Sequence, residues 1–75
     1  MEPYESLANA IVMQAVKDYQ SALLHLKKRP EHKSYQFEVA SLERFFRSGW
    51  YGELTNLNAE YLIRRIGEEV QKNDR

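Results

Sequence analysis

The feature that most limits the fold is a long amphipathic run between two prolines, Pro3 and Pro30. Small and apolar residues recur along it in steps of three and four, the spacing of one helical face. These residues are Ala8, Ile11, Val12, Ala15, Tyr19, Ala22, Leu23 and Leu26. A proline fits the first turn of a helix, whereas the residue before a proline avoids helical backbone angles. The run therefore predicts one helix from about Tyr4 to Lys28, roughly 37 Å long.

A helix of that length is long for a chain of 75 residues, which we interpret as a single domain over residues 1–75. A single core of this size seldom gives more than about 3–5 kcal/mol of net stability. No cysteine is present to add a disulfide. The first helix therefore either spans the whole domain or extends beyond it and meets a second copy. The second alternative predicts a homodimer through helix 1.

Two shorter helices follow. Apolar residues from Tyr35 to Phe46 repeat at helical spacing and predict a helix over about 34–47. Asn58 is a good N-cap, and the stripe after it predicts a third helix over about 59–72. The fold class is therefore all-α, a compact three-helix bundle. The link before the last helix is either irregular, with Gly49 left-handed at the end of helix 2, or forms a short helical turn at 49–54.

Charge and composition narrow the range of possible functions. Eleven basic and eleven acidic residues cancel, which disfavours a protein that mainly neutralises phosphates. No basic and apolar leader and no apolar run of about 20 residues is present, so we expect a cytoplasmic protein without membrane contact. His25 and His32 are too few for a structural metal site. No catalytic motif is recognisable, so we expect no enzymatic activity, no cofactor and no small-molecule substrate.

The segment from Arg44 to Arg65 is the densest in aromatic and arginine side chains. Periodicity assigns most of its apolar residues to the core. The residues between the helices are different, because loops run on the surface and because Trp, Tyr and Arg are enriched at binding hot spots. We therefore predict a protein-binding surface. Its candidate residues are Trp50, Tyr51, Arg44, Arg47 and Arg64.

The alternative is a small helical nucleic-acid-binding regulator. In that case the last two helices would form a helix-turn-helix, and binding would use basic side chains on the last helix and around the first turn. These side chains are Arg64, Arg65, Lys27, Lys28, Arg29 and Lys33. A recognition helix reads bases mostly near its N-terminus, where only Asn58 is suited to base contact. The sequence therefore favours protein binding over nucleic-acid binding.

The strings "AVKDYQSALLHLKKRP" and "ERFFRSGWYGELTNLNAEYLIRRI" resemble a family of small uncharacterised proteins from phages, prophages and conjugative elements of Gram-positive bacteria. Relatives often carry an acidic residue at the position of Gly49, which implies that Ser48 caps a short helix through Leu54. The resemblance also implies a context. Compact phage proteins commonly bind and inhibit a host protein, including defence systems such as CRISPR nucleases, which suggests an anti-CRISPR-like inhibitor.

Overall fold

The computed structural model describes residues 3–72, and within that range it contains four α-helices and no strand. The helices are α1 (Pro3–Lys28), α2 (Lys33–Phe46), α3 (Gly49–Leu54) and α4 (Ala59–Lys72). The predicted all-α bundle is confirmed, and the three long helices lie within one or two residues of their predicted bounds. The short helical turn that was one of two alternatives for 49–54 is present as α3.

Helix α1 runs the whole length of the bundle. Its 26 residues span about 39 Å, close to the longest dimension of the molecule, 41 Å. Both of its ends contact other helices. The Tyr4 hydroxyl donates to the carbonyl of Glu53 at 3.5 Å, and Lys27 Nζ donates to the carbonyl of Val70 at 3.3 Å. Helix α1 thus spans the whole domain, the first of the two alternatives, and a homodimer through helix 1 stays a prediction.

The turn after α1 reverses the direction of the chain, so that α2 runs back along α1. Gln36 Nε2 donates to the carbonyl of Pro30 at 2.7 Å, which ties the first turn of α2 to the link. The ring of Tyr35 stacks on His25 with centroids 4.8 Å apart and lies 4.3 Å from the ring of His32. These contacts hold α1 and α2 as an antiparallel pair, against which α3 and α4 pack.

The core is built around Phe46, the last residue of α2, whose side chain is 1% exposed. Its ring meets Tyr19 of α1 edge-on at 5.5 Å and Tyr51 of α3 at 5.7 Å. Ile66 of α4 belongs to the same buried cluster. One aromatic ring therefore stands at the meeting point of all four helices.

Ser48 starts α3. Its Oγ accepts from the backbone N–H of Tyr51 at 3.2 Å and donates to the carbonyl of Phe45 at 2.6 Å. No glycine in residues 3–72 has a positive φ. The alternative of a left-handed Gly49 ending helix 2 is therefore wrong, because the Ser48 side chain satisfies the groups that such a turn would have satisfied.

Asn58 caps α4 as predicted, since its Oδ1 accepts from the N–H of Tyr61 at 2.9 Å. Gly67 lies in the middle of α4, and a Cβ added there would meet nothing within 4 Å. The glycine therefore marks no close contact between helices.

We expect Gly67→Ala to stabilise the protein by about 1 kcal/mol, because alanine loses less backbone entropy than glycine in a helix. Thermal unfolding followed by circular dichroism should show a midpoint about 4–8 °C higher. An unchanged or lower midpoint would show that the methyl group collides with a neighbour and that α4 packs more closely than described.

Candidate docking surface

Trp50 is the most exposed aromatic side chain of the segment that the sequence singled out. Helix α3 turns Tyr51 and Leu54, three residues apart, toward the core. Trp50 and Glu53 occupy the neighbouring side of the same short helix, because they share the same three-residue spacing. The Trp50 side chain is 56% exposed. The structure therefore places it where an incoming molecule can reach it.

The expectation that Tyr51 lies at the surface is wrong. Its side chain is 3% exposed and meets the rings of Phe45 and Phe46 edge-on at 5.9 and 5.7 Å. Burial raises the pKa of its hydroxyl, which has no hydrogen-bond partner among the described residues. The error came from treating the link as a loop. In a short helix one side faces the core and the other faces solvent, and Tyr51 lies on the side that faces the core.

Two exposed apolar side chains of α1, Tyr4 and Leu7, lie at the same end of the bundle as Trp50. The Tyr4 hydroxyl reaches the backbone carbonyl of Glu53, three residues after Trp50 in α3. We call these three residues the α1–α3 patch. Sequence reasoning missed Tyr4 and Leu7, although Leu7 lies one turn before Ile11 and continues its apolar stripe.

Arg47 is held within the fold. Its Nε and Nη2 donate to the two carboxylate oxygens of Glu60 at 2.6 and 3.1 Å, and Nη1 lies 3.9 Å from Glu43 Oε1. Glu43 also accepts the Tyr19 hydroxyl at 2.7 Å. This chain of polar contacts joins α1, α2 and α4. Arg47 therefore ties helices together, and Glu60 occupies the edge of its guanidinium formed by Nε and Nη2.

The Arg47 guanidinium, by hydrogen bonding and by charge, holds the pKa of the Glu60 carboxyl below its ordinary value. The unfolded chain therefore binds more protons in mild acid, and the contribution of this pair to stability is present above the ordinary carboxyl pKa and is lost as pH falls below it. We expect the urea midpoint to fall between pH ~5 and ~3.

The fall should be smaller in Glu60→Gln, which has no carboxylate to protonate at this position. The matched control is Glu31→Gln, which removes an exposed carboxylate in the link between α1 and α2. An acid dependence that is identical in wild type and Glu60→Gln would show that Arg47 and Glu60 do not pair in solution.

The other two candidate arginines lie on different faces. Arg44 is exposed, and it points away from the core because it lies two residues before the buried Phe46. Arg64 is exposed on α4 with its guanidinium carbon 5.7 Å from the centre of the Tyr61 ring. The five predicted contact residues are therefore not one surface. Trp50, Arg44 and Arg64 are exposed, Arg47 is paired and Tyr51 is buried.

The basic side chains of the nucleic-acid alternative are partly engaged as well. Lys27 donates to the carbonyls of Val70 and Gln71 at the C-terminal end of α4, and Arg65 pairs with Glu68 at 3.5 Å. Lys28, Arg29 and Lys33 are exposed around the turn between α1 and α2. The Oδ1 atom of Asn58, the residue suited to base contact, caps α4. These contacts give the nucleic-acid alternative no new support.

Within residues 3–72, no group of three or more His, Asp or Glu side chains is placed to hold a metal ion. No helix in the same range combines the length and the apolar character needed to cross a membrane. Comparison with protein-family models, with curated protein sequences and with solved structures finds no significant match for this chain.

Proposed function

We propose that the chain is a non-enzymatic binding protein that docks a host or phage protein through the α1–α3 patch. The observation that carries this proposal is the exposure of Trp50. Tryptophan is the side chain most often found at the centre of binding hot spots, where its truncation typically costs 2 kcal/mol or more. Here the only tryptophan of the chain stands on the outer side of a capped, well-supported short helix.

The neighbourhood of Trp50 suits a protein partner. Tyr4 and Leu7 add apolar area, and an apolar centre inside a polar rim is the usual anatomy of a protein interface. Glu53 contributes a carboxylate beside Trp50, which would repel a phosphate backbone. Helix α3 is held by its Ser48 cap and by the buried Tyr51, so the tryptophan would lose little backbone freedom on binding.

The resemblance to proteins of phages and conjugative elements supplies the biological setting of the proposal. In that setting the protein acts in the cytoplasm of the host cell, and occupying a functional surface of a host defence protein would inhibit it in an anti-CRISPR-like manner. Inhibition would require only tight binding. It would require no catalytic group on this chain.

The test is capture of partners from a lysate of a Gram-positive host, with wild-type protein and with Trp50→Ala. We expect the variant to lose the captured protein, with affinity at least about 30-fold weaker. The matched control is Phe37→Ala, which truncates an aromatic side chain that is 73% exposed on α2. If Trp50→Ala is folded by circular dichroism and captures the same partners as wild type, the proposed surface is wrong.

A further inference from the structure

An open apolar groove runs between α1 and α2. It is lined by Ile11, Gln14, Ala15 and Asp18 from α1 and by Leu42 and Phe45 from α2, and its volume is about 340 Å³. Ile11, Leu42 and Phe45 are only half-buried by the chain itself. The residues of the groove pack against the core on one side and leave apolar surface to solvent on the other.

The groove continues toward the α1–α3 patch. Leu7 lies one helical turn before Ile11 on the same side of α1 and is exposed. At the same end, Phe45 contacts Tyr51 of α3, with ring centroids 5.9 Å apart. From Leu7 to Asp18 the apolar strip is about 16 Å long, which matches three turns of a second helix.

The charged lining of the groove is a single carboxylate, that of Asp18. Asp18 lines it on α1 and is held in place by a hydrogen bond from Gln14 Nε2 at 3.0 Å. Glu38 is exposed on α2, one turn before Leu42. Among residues 3–72, no lysine or arginine lines the groove. An occupant with basic side chains on either side of an apolar stripe would therefore be complementary in both apolar surface and charge.

We infer that this groove binds a basic amphipathic helix of the partner protein, an inference that rests on the proposed binding function and names the chemistry of the partner. A third helix of a bundle packs its apolar stripe into the groove between two others, and a helix of a partner protein can pack in the same way. Its apolar side chains would cover Ile11, Leu42 and Phe45, its basic side chains would face Asp18, and one end would lie near α3.

The probe is a synthetic amphipathic peptide of about eleven leucine and lysine residues in helical register, the length of three turns. Binding is followed by the amide chemical shifts of the protein. We expect changes centred on Ile11, Ala15, Leu42 and Phe45. A scrambled peptide of the same composition and an amphipathic leucine–glutamate peptide serve as controls, and both should bind more weakly.

Asp18→Lys should weaken binding of the leucine–lysine peptide by roughly fivefold or more, because it replaces an attraction at the rim by a repulsion. Glu31→Lys makes the same change in charge in the link between α1 and α2, outside the groove, and should have a much smaller effect. Circular dichroism of both variants establishes that each is folded.

Three results would overturn the inference: a scrambled or acidic peptide that binds as tightly, shift changes centred elsewhere, or equal weakening by Asp18→Lys and Glu31→Lys. The proposed function fails separately. If capture from lysate depends on Trp50 while Asp18→Lys leaves it unchanged and the peptide does not bind, the docking function stands and the groove has no part in it.

Discussion

Replacing Phe46 by alanine should leave the chain largely unfolded at room temperature. Truncating a buried phenylalanine costs about 3–5 kcal/mol, from lost apolar burial and from the cavity left behind. A single small core seldom supplies more net stability than that. Phe46 is 1% exposed and its ring contacts rings of both α1 and α3, so the cavity would open where the helices meet. The measurement is helix content by circular dichroism and its loss in urea.

The matched control for this prediction is in the same helix. Phe37→Ala makes the identical chemical change at a position that is 73% exposed. Surface substitutions usually change stability by less than about 0.5 kcal/mol, so this variant should unfold at nearly the wild-type urea concentration. Equal stability of the two variants would contradict the position of Phe46 at the centre of the core.

The second large effect separates two neighbours in the sequence. Tyr51→Ala should destabilise the protein by about 3–5 kcal/mol, since the buried ring packs edge-on against both Phe45 and Phe46. Trp50→Ala should change the free energy of unfolding by less than about 0.5 kcal/mol, although it removes a larger side chain. The contrast follows from the direction in which α3 presents each residue, because Tyr51 faces the core and Trp50 faces solvent.

Tyr51→Phe distinguishes the ring from its hydroxyl. The hydroxyl has no hydrogen-bond partner among residues 3–72, so removing it should be neutral or slightly stabilising. The positions of the two side chains would be contradicted if Trp50→Ala unfolded the protein and Tyr51→Ala did not. That result would mean that α3 is rotated about its axis and that the indole belongs to the core.

The three long helices were predictable because each carries a local signal. Pro3 and Pro30 bracket α1, the apolar spacing marks α2, and Asn58 caps α4. Residues that belong to the core by periodicity, such as Phe46 and Ile66, are indeed buried. These predictions succeeded because helix periodicity and capping depend on residues a few positions apart, which a single sequence displays directly.

Side-chain partners between helices were not predictable in the same way. Glu60 lies one turn from Arg64 in α4, but it binds Arg47, the residue after α2, and Arg64 lies over Tyr61. The groove between α1 and α2 likewise depends on how closely two helices approach. For Tyr51, the sequence left open whether the link is helical, and that choice alone decides which of two adjacent aromatic residues is buried.

The most direct test of the central claim is the fluorescence of the folded protein, because Trp50 is its only tryptophan. If the indole stands outside the core, its emission should lie close to that of the urea-unfolded chain, and acrylamide should quench it nearly as efficiently in both states. A strongly blue-shifted emission that acrylamide quenches only when the protein is unfolded would contradict the account, because Trp50 would then be unavailable to a partner.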